Sequence, residues 1–211
     1  MNTIVKYEID KFGVIHQLNP NPFVYDKEYV DIRYGESLKD KIRQMSYLRY
    51  AYLIGIIKTV PTSILDVGYG DGDFLKVCSQ SIINCFGNDL FDDHIPDKCT
   101  FVNNFENSYD VITFFDSLEH FSDINFVKKL KCNHIMISVP WCVSSVVDDN
   151  FINWKHRRPN EHLHHFDNVS LNNFMEDCGY TMLEYSNIED MIRIPENLFA
   201  PNILTAIFEK N

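Results

Sequence analysis

From residue 39 onward, short apolar runs alternate with stretches of helical periodicity. Residues 39–58 place Ile42, Met45, Leu48, Leu53 and Ile56 on one helical face, which predicts an amphipathic helix closed by Pro61. SILDV (63–67), IINCFGNDL (82–90), CTFVN (99–103), DVITFFD (110–116) and HIMISV (134–139) read as buried strands. TMLEYSN (181–187) and ILTAIFEK (203–210) supply two more, and helices are expected at 72–80, 125–131 and 170–179. Residues 1–38 carry Pro20, Pro22, Phe23, Tyr25, Tyr29 and Tyr34 and are expected to be irregular.

Alternation of this kind calls for a parallel sheet with crossover helices on both faces. The expected fold is α/β: a Rossmann-like, seven-stranded, mostly parallel sheet flanked by helices, with the last strand antiparallel. No repeat or linker divides the 211 residues, so one domain is expected over 1–211, with residues 1–60 as an N-terminal cap and helix. The polar, His-rich stretch 141–168 is too long for a plain connection and reads as a substrate lid. Nineteen Lys and Arg against thirty Asp and Glu give a net charge of −11, which disfavours a nucleic-acid partner. No apolar run approaches the roughly 20 residues that span a bilayer, and the first residues, MNTIVKYEIDKFG, lack the apolar core of a signal peptide. Cysteines 78, 85, 99, 132, 142 and 178 form no CxxC pair and read as reduced core residues of a cytoplasmic protein. The oligomeric state is not legible.

The chemistry starts at ILDVGYGDGDF (64–74), where a buried strand runs into Gly68-Tyr69-Gly70-Asp71-Gly72 and then a helix. In open α/β sheets the ligand binds at such strand-to-helix turns, and glycine lets it approach the backbone closely. A nicotinamide fingerprint would need a third glycine at position 73, which is Asp. The pattern is instead Asp66-x-Gly68-x-Gly70-x-Gly72.

That stretch resembles the first motif of class I S-adenosylmethionine-dependent methyltransferases. Further on, Asp89 in FGNDL, beside Leu90, matches the family's acidic residue on the ribose hydroxyls, and a strand-end carboxylate suits a vicinal diol. Asn103 and Asn104 lie where the family has a polar group near the adenine amine. YDVITFFDSLEHF (109–121) matches the fourth motif, whose strand end, with Phe115 and Asp116, faces the methionine moiety. HIMISVP followed by EHLHHFDNVSLNNFMEDCGY resembles a subgroup many of whose members act on sugars or other small molecules. The resemblance covers residues 61–210. It implies S-adenosyl-L-methionine as donor and S-adenosyl-L-homocysteine as product, held by Asp66, Gly68, Tyr69, Gly70, Gly72, Asp89, Leu90, Asn103, Asn104, Phe115 and Asp116. Asp66 is expected to shape the glycine loop rather than touch ligand. Tyr69 stands where the family commonly has Cys or Ser.

Three readings of Asp116, Glu119 and His120 stay open. Asp116-x-x-Glu119 has the spacing of a helix capping box. Asp116 alone can face the donor and the incoming nucleophile. D-x-x-E-H also resembles the metal-ligating E-x-x-E-H of ubiquinone-biosynthesis O-methyltransferases, although the Asp shortens one arm. No metal is assigned, and a chelator is expected to leave activity unchanged. His156, His162, His164 and His165 crowd the lid in spacings that match no standard zinc pattern. The bland reading is a polar loop packed by Trp154, Leu163 and Phe166, with Glu161 paired to Arg157 or Arg158. The functional reading gives it a general base, His164 or His165, one of which points inward toward Asp116 or Glu119. Arg157 and Arg158 are candidates for holding an anionic acceptor, and Arg33 and Arg49 for the methionine carboxylate.

The expected activity is O-methylation of a small molecule or sugar. No N-P-P-Y-like motif follows the fourth strand, which argues against base or Gln amino-methylation. An NAD-dependent epimerase lacks its third glycine here. A cofactor-binding scaffold of the same fold, or an N-methyltransferase, are the remaining alternatives.

Overall fold

The apolar runs form one seven-stranded sheet in the computed structural model, which describes residues 5–23, 38–92, 94–194 and 200–211. Its strands are β3 (Ser63–Val67), β4 (Asn84–Asn88), β5 (Cys99–Phe101), β6 (Ser108–Phe115), β7 (Lys131–Pro140), β9 (Tyr180–Ser186) and β10 (Ile203–Lys210). The spatial order is β5-β4-β3-β6-β7-β10-β9. Pairs from β5 through β7 are parallel, and β10 runs antiparallel to both β7 and β9. The chain order therefore reverses direction beside β3, which places the β3 and β6 C-terminal ends at the sheet's ligand-binding crevice.

Both faces are covered, so the central strands carry apolar residues on both sides rather than alternating strictly. Leu65, Ile112, Phe114, Ile135 and Ile137 pack on one face with Leu171, Phe174 and Met175 of helix α4 (Asn168–Asp177). Ile64, Val111, Met136 and Ile207 point the other way, onto Leu53 of helix α1 (Lys39–Ile57) and Phe74 and Leu75 of helix α2 (Asp73–Cys78). Helix α4 begins with a capping box between Asp167 and Ser170.

Two elements differ from expectation. Residues 125–131 form a 3-10 helix, Ile124–Lys129, capped by the Asp123 side chain and stopped by extended Leu130. The N-terminal stretch is not irregular throughout: β1 (Lys6–Ile9) and β2 (Ile15–Leu18) form a hairpin, and β2 pairs with β8 (His164–His165) inside the supposed lid. The hairpin turn is held by Asp10, whose carboxylate accepts from the Phe12 and Val14 amides. Helix α3 (Asp149–Ile152) is a single turn in the same insertion. Tyr25, Tyr29, Arg33 and Tyr34 lie outside the described residues.

Candidate active site

The glycine loop leaves β3 with positive φ at Gly68 (78°), Gly70 (56°) and Gly72 (72°), a region that other residues enter at a cost. Space is equally restrictive, since a Cβ on Gly68 would sit 2.6 Å from the Ser117 Cβ and one on Gly72 2.7 Å from the His94 carbonyl oxygen. Asp89 follows β4, next to the loop. One of its carboxylate oxygens accepts from the Gly70 amide at 2.9 Å and the other from the Leu90 amide at 2.6 Å. These two amides fix the carboxylate in place against the loop. Leu90, 68% exposed, and Phe91 add apolar surface beside it. Asn103 and Asn104 are exposed after β5, and the Asn104 side chain accepts from the Glu106 amide.

Two expected ligand contacts, Tyr69 and Phe115, are turned inward instead, and Asp66 is buried with them. Tyr69 is buried, lies edge-on to Phe101 and donates its hydroxyl to the Phe91 carbonyl at 2.7 Å. It thereby ties the glycine loop to the segment after Asp89, and only its backbone remains for a ligand. Phe115 is buried between Phe74 and the Arg49 guanidinium, 4.1 Å from its ring centre. Asp66 accepts from the Thr113 hydroxyl at 2.7 Å, joining β3 to β6 rather than shaping the loop. Burial, with Asp89 and Asp71 nearby, pushes the Asp66 carboxyl up to about 7, against the opposing pull of Thr113 and Arg49.

Asp116 ends β6 in a left-handed conformation, φ 50°. Its carboxylate is gripped by both terminal nitrogens of Arg193, at 2.8 and 2.5 Å, and approached by Arg49 at 3.4 Å. Arg49 is itself held in a fork by the fully buried Glu189, at 2.7 and 2.9 Å, which Arg193 also approaches at 3.3 Å. Arg49 is thus neutralised within the protein. Glu189 and Arg193 come from the connection between β9 and β10, which carries no motif that sequence reasoning could use. The capping-box reading of Asp116 does not hold: the 3-10 helix Leu118–His120 is preceded by Ser117, with no side-chain cap, and the Ser117 hydroxyl bonds the Val67 carbonyl.

The insertion folds back onto this strand end. The Leu163 amide donates to the Glu119 carbonyl at 2.8 Å, and the Cys142 amide to the Phe166 carbonyl at 2.8 Å. Neither His164 nor His165 points to solvent, and neither is seen facing Asp116 or Glu119. His164 bonds His16 at 2.6 Å and the Phe121 carbonyl at 2.7 Å. His165 bonds the Ile15 carbonyl and is ringed by Tyr7, Phe151 and Trp154. Burial depresses both imidazoles to about 4. Pairing of β8 with β2 is the physical reason, because it draws both residues into the small sheet. The imidazole that reaches the β6 end is His162, whose ring lies edge-on to His120 at 4.8 Å. Arg158 pairs with Glu161 at 3.0 Å, as the bland reading expected, while Arg157 bonds the Ile152 carbonyl and the Tyr7 hydroxyl.

A family model for a methyltransferase domain matches residues 36–185, more than two thirds of the chain. This chain belongs to that methyltransferase family. No curated protein matches its sequence. Solved structures share the fold at low identity. Magnesium protoporphyrin IX methyltransferase from Synechocystis, solved with S-adenosylhomocysteine, superposes with a TM-score of 0.58 at 13% identity, covering 90% of each chain. The 1,6-didemethyltoxoflavin-N1-methyltransferase of Burkholderia thailandensis gives 0.56 at 14% identity, over 98% of this chain and 99% of that one. A chain of the complex between the Haloferax volcanii Trm112 methyltransferase activator and a methyltransferase gives 0.58 at 13%, over 89% and 99%.

As a class I methyltransferase the protein uses S-adenosylmethionine, and its residues fit that donor. The left-handed glycines bring bare backbone to the end of β3, and Asp89 is fixed beside it through the Gly70 amide. When bound, the donor supplies an electrophilic methyl on a sulfonium. Among the described residues, no helix of this methyltransferase is long and apolar enough to cross a membrane.

Proposed function

We propose that the methyl group goes to a hydroxyl of a small molecule or sugar. The acceptor site on this reading is the space where Glu119, His120 and His162 meet. The observation that carries it is the docking of the insertion: the Leu163–Glu119 backbone bond brings an imidazole from the insertion to the end of β6, beside the glycine loop. A hydroxyl must lose its proton as the methyl arrives, so it needs a basic or Lewis-acidic partner, whereas an amine attacks through its neutral lone pair. Holding nucleophile, methyl carbon and sulfur in line supplies the rest of the acceleration. On this reading the cofactor contacts are Gly68, Gly70, Gly72, Asp89 and Leu90, with Asn103 and Asn104 toward the base. Asp116 stands at the methionine end on this reading, its carboxylate held by Arg193. The hydroxyl-activating role passes from His164 and His165 to the cluster around His162. The second reading, N-methylation, draws on the fold shared with the toxoflavin-pathway N1-methyltransferase.

The test is a labelled-methyl screen of hydroxyl-bearing sugars and small acids against amine-bearing counterparts. The expected product carries a new O-methyl group, and His162→Ala lowers its formation by roughly 10²–10⁴ with donor affinity unchanged. Labelled product from amines alone, or an unchanged rate in His162→Ala, would move the assignment to N-methylation.

A further inference from the structure

Among the described residues, one group of three His, Cys, Asp or Glu side chains brings ligand atoms together: Glu119, His120 and His162, whose atoms all lie within 4.8 Å of one another. We propose that these three residues bind a divalent transition-metal ion, leaving coordination positions open toward the acceptor. The inference deepens the acceptor reading above and rests on it for the ion's catalytic consequence, although not for the binding itself.

Glu119 is the first reason. Its side chain is 2% exposed, and neither carboxylate oxygen has a hydrogen-bond partner. Buried polar atoms are nearly always satisfied, so a carboxyl with both oxygens unpaired is costly unless something is meant to meet it. His120 approaches one of those oxygens only at 3.8 Å, too far for a hydrogen bond and suitable for a shared ion.

His162 is the second reason. Its Nδ1 lies 2.8 Å from the His156 carbonyl oxygen. A carbonyl can only accept, so Nδ1 carries the proton and Nε2 presents a lone pair. Fixing a tautomer through a backbone carbonyl is how metal-ligating histidines are commonly oriented. Both ring nitrogens of His164 are engaged, by His16 and the Phe121 carbonyl. His165 also rests its Nδ1 on a carbonyl and leaves Nε2 without a partner, but it is ringed by Tyr7, Phe151 and Trp154 and is not one of the three clustered ligands.

Asp116 is excluded from the set because Arg193 grips both of its oxygens. The ligands are therefore not the D-x-x-E-H triplet visible in the sequence. Two of its members are joined by His162 from the insertion, and the amide of the next residue, Leu163, donates to the Glu119 carbonyl. Two imidazoles and one carboxylate favour zinc, iron or another first-row ion over magnesium or calcium, which prefer all-oxygen sets. Such an ion would acidify a coordinated hydroxyl, the need identified for the acceptor.

The test uses the full chain, stripped with a chelator and dialysed, titrated calorimetrically with zinc chloride. Wild type is expected to bind zinc at a single site, with a rise in melting temperature, and cobalt substitution is expected to give the visible absorption of a low-coordinate nitrogen and oxygen site. Glu119→Gln and His162→Ala should each weaken zinc binding by 10-fold or more. Glu119→Gln puts a neutral amide where a buried carboxyl has no partner, so its stripped form should melt no lower than the stripped wild type. Absence of saturable zinc binding, or binding untouched by both substitutions, would overturn the proposal. Titration of the same stripped protein with S-adenosylmethionine keeps the two claims apart: intact donor binding with no zinc binding defeats the metal site alone.

Discussion

Asp66 offers the sharpest test of the electrostatics beneath the cofactor loop. It is buried between β3 and β6 and ionises near pH 7 rather than its ordinary 3.8, because burial outweighs the Thr113 hydroxyl and the more distant Arg49. A raised acid stabilises the fold below its unfolded value and loses that contribution as pH rises through the folded one. At roughly 1.4 kcal/mol per pH unit, the span from 3.8 to about 7 amounts to about 4 kcal/mol of stability lost by pH 8. Asp66→Asn keeps the oxygen that accepts from Thr113 and cannot ionise. It should leave stability near pH 4 almost unchanged and raise it by about 4 kcal/mol at pH 8, or roughly 10 °C in melting temperature for a chain of this size. Urea unfolding of both proteins from pH 4 to pH 8 reads the difference, which cancels the histidines common to both. Parallel pH profiles would refute the reasoning and mean that Asp66 is ionised in the folded protein, held by Arg49.

Two further outcomes follow from the same geometry. Glu189→Gln strips the buried countercharge from Arg49 and should cost about 3–5 kcal/mol in urea unfolding, while a loss below about 1 kcal/mol would show that Asp116 alone satisfies both arginines. Gly68→Ala should cost about 1–2 kcal/mol for the left-handed backbone, plus the clash with Ser117, and weaken donor binding, and a variant with wild-type melting and affinity would contradict the described loop.

What the sequence made legible was whatever depends on local spacing. The glycines at 68, 70 and 72 must follow one strand and precede one helix, and Asp89 must end the next strand, so both could be placed before any coordinates. The main sheet was legible for the same reason, because strands buried on both faces are continuous apolar runs such as ILDV and ITFF. The small sheet was not. β1 and β2 have four residues each and β8 only two, too few for a period to register. That omission propagated to the site, since in EHLHHF nothing local tells which histidine faces the β6 end. Pairing with Ile15 and His16 removed His164 and His165 and left His162. Glu189 and Arg193 were invisible because an ion pair with Arg49 or Asp116 spans most of the chain and leaves no pattern behind. Tyr69 read as a ligand contact from its place in the loop, yet its ring fills the gap over Gly87, where a Cβ would come within 2.7 Å of it.

The central claim, that this methyltransferase holds its donor between the glycine loop and Asp89, is tested most directly by calorimetric titration of wild type and Asp89→Ala with S-adenosylmethionine and S-adenosylhomocysteine. Removal of a charged acceptor for two hydroxyl groups is worth about 1.5–3 kcal/mol for each hydrogen bond as an upper range. Wild type should bind both ligands at one site, and Asp89→Ala should bind them at least 10-fold more weakly with an unchanged circular dichroism spectrum. Equal affinity in the two proteins would contradict the placement, and no binding by wild type would contradict the account as a whole.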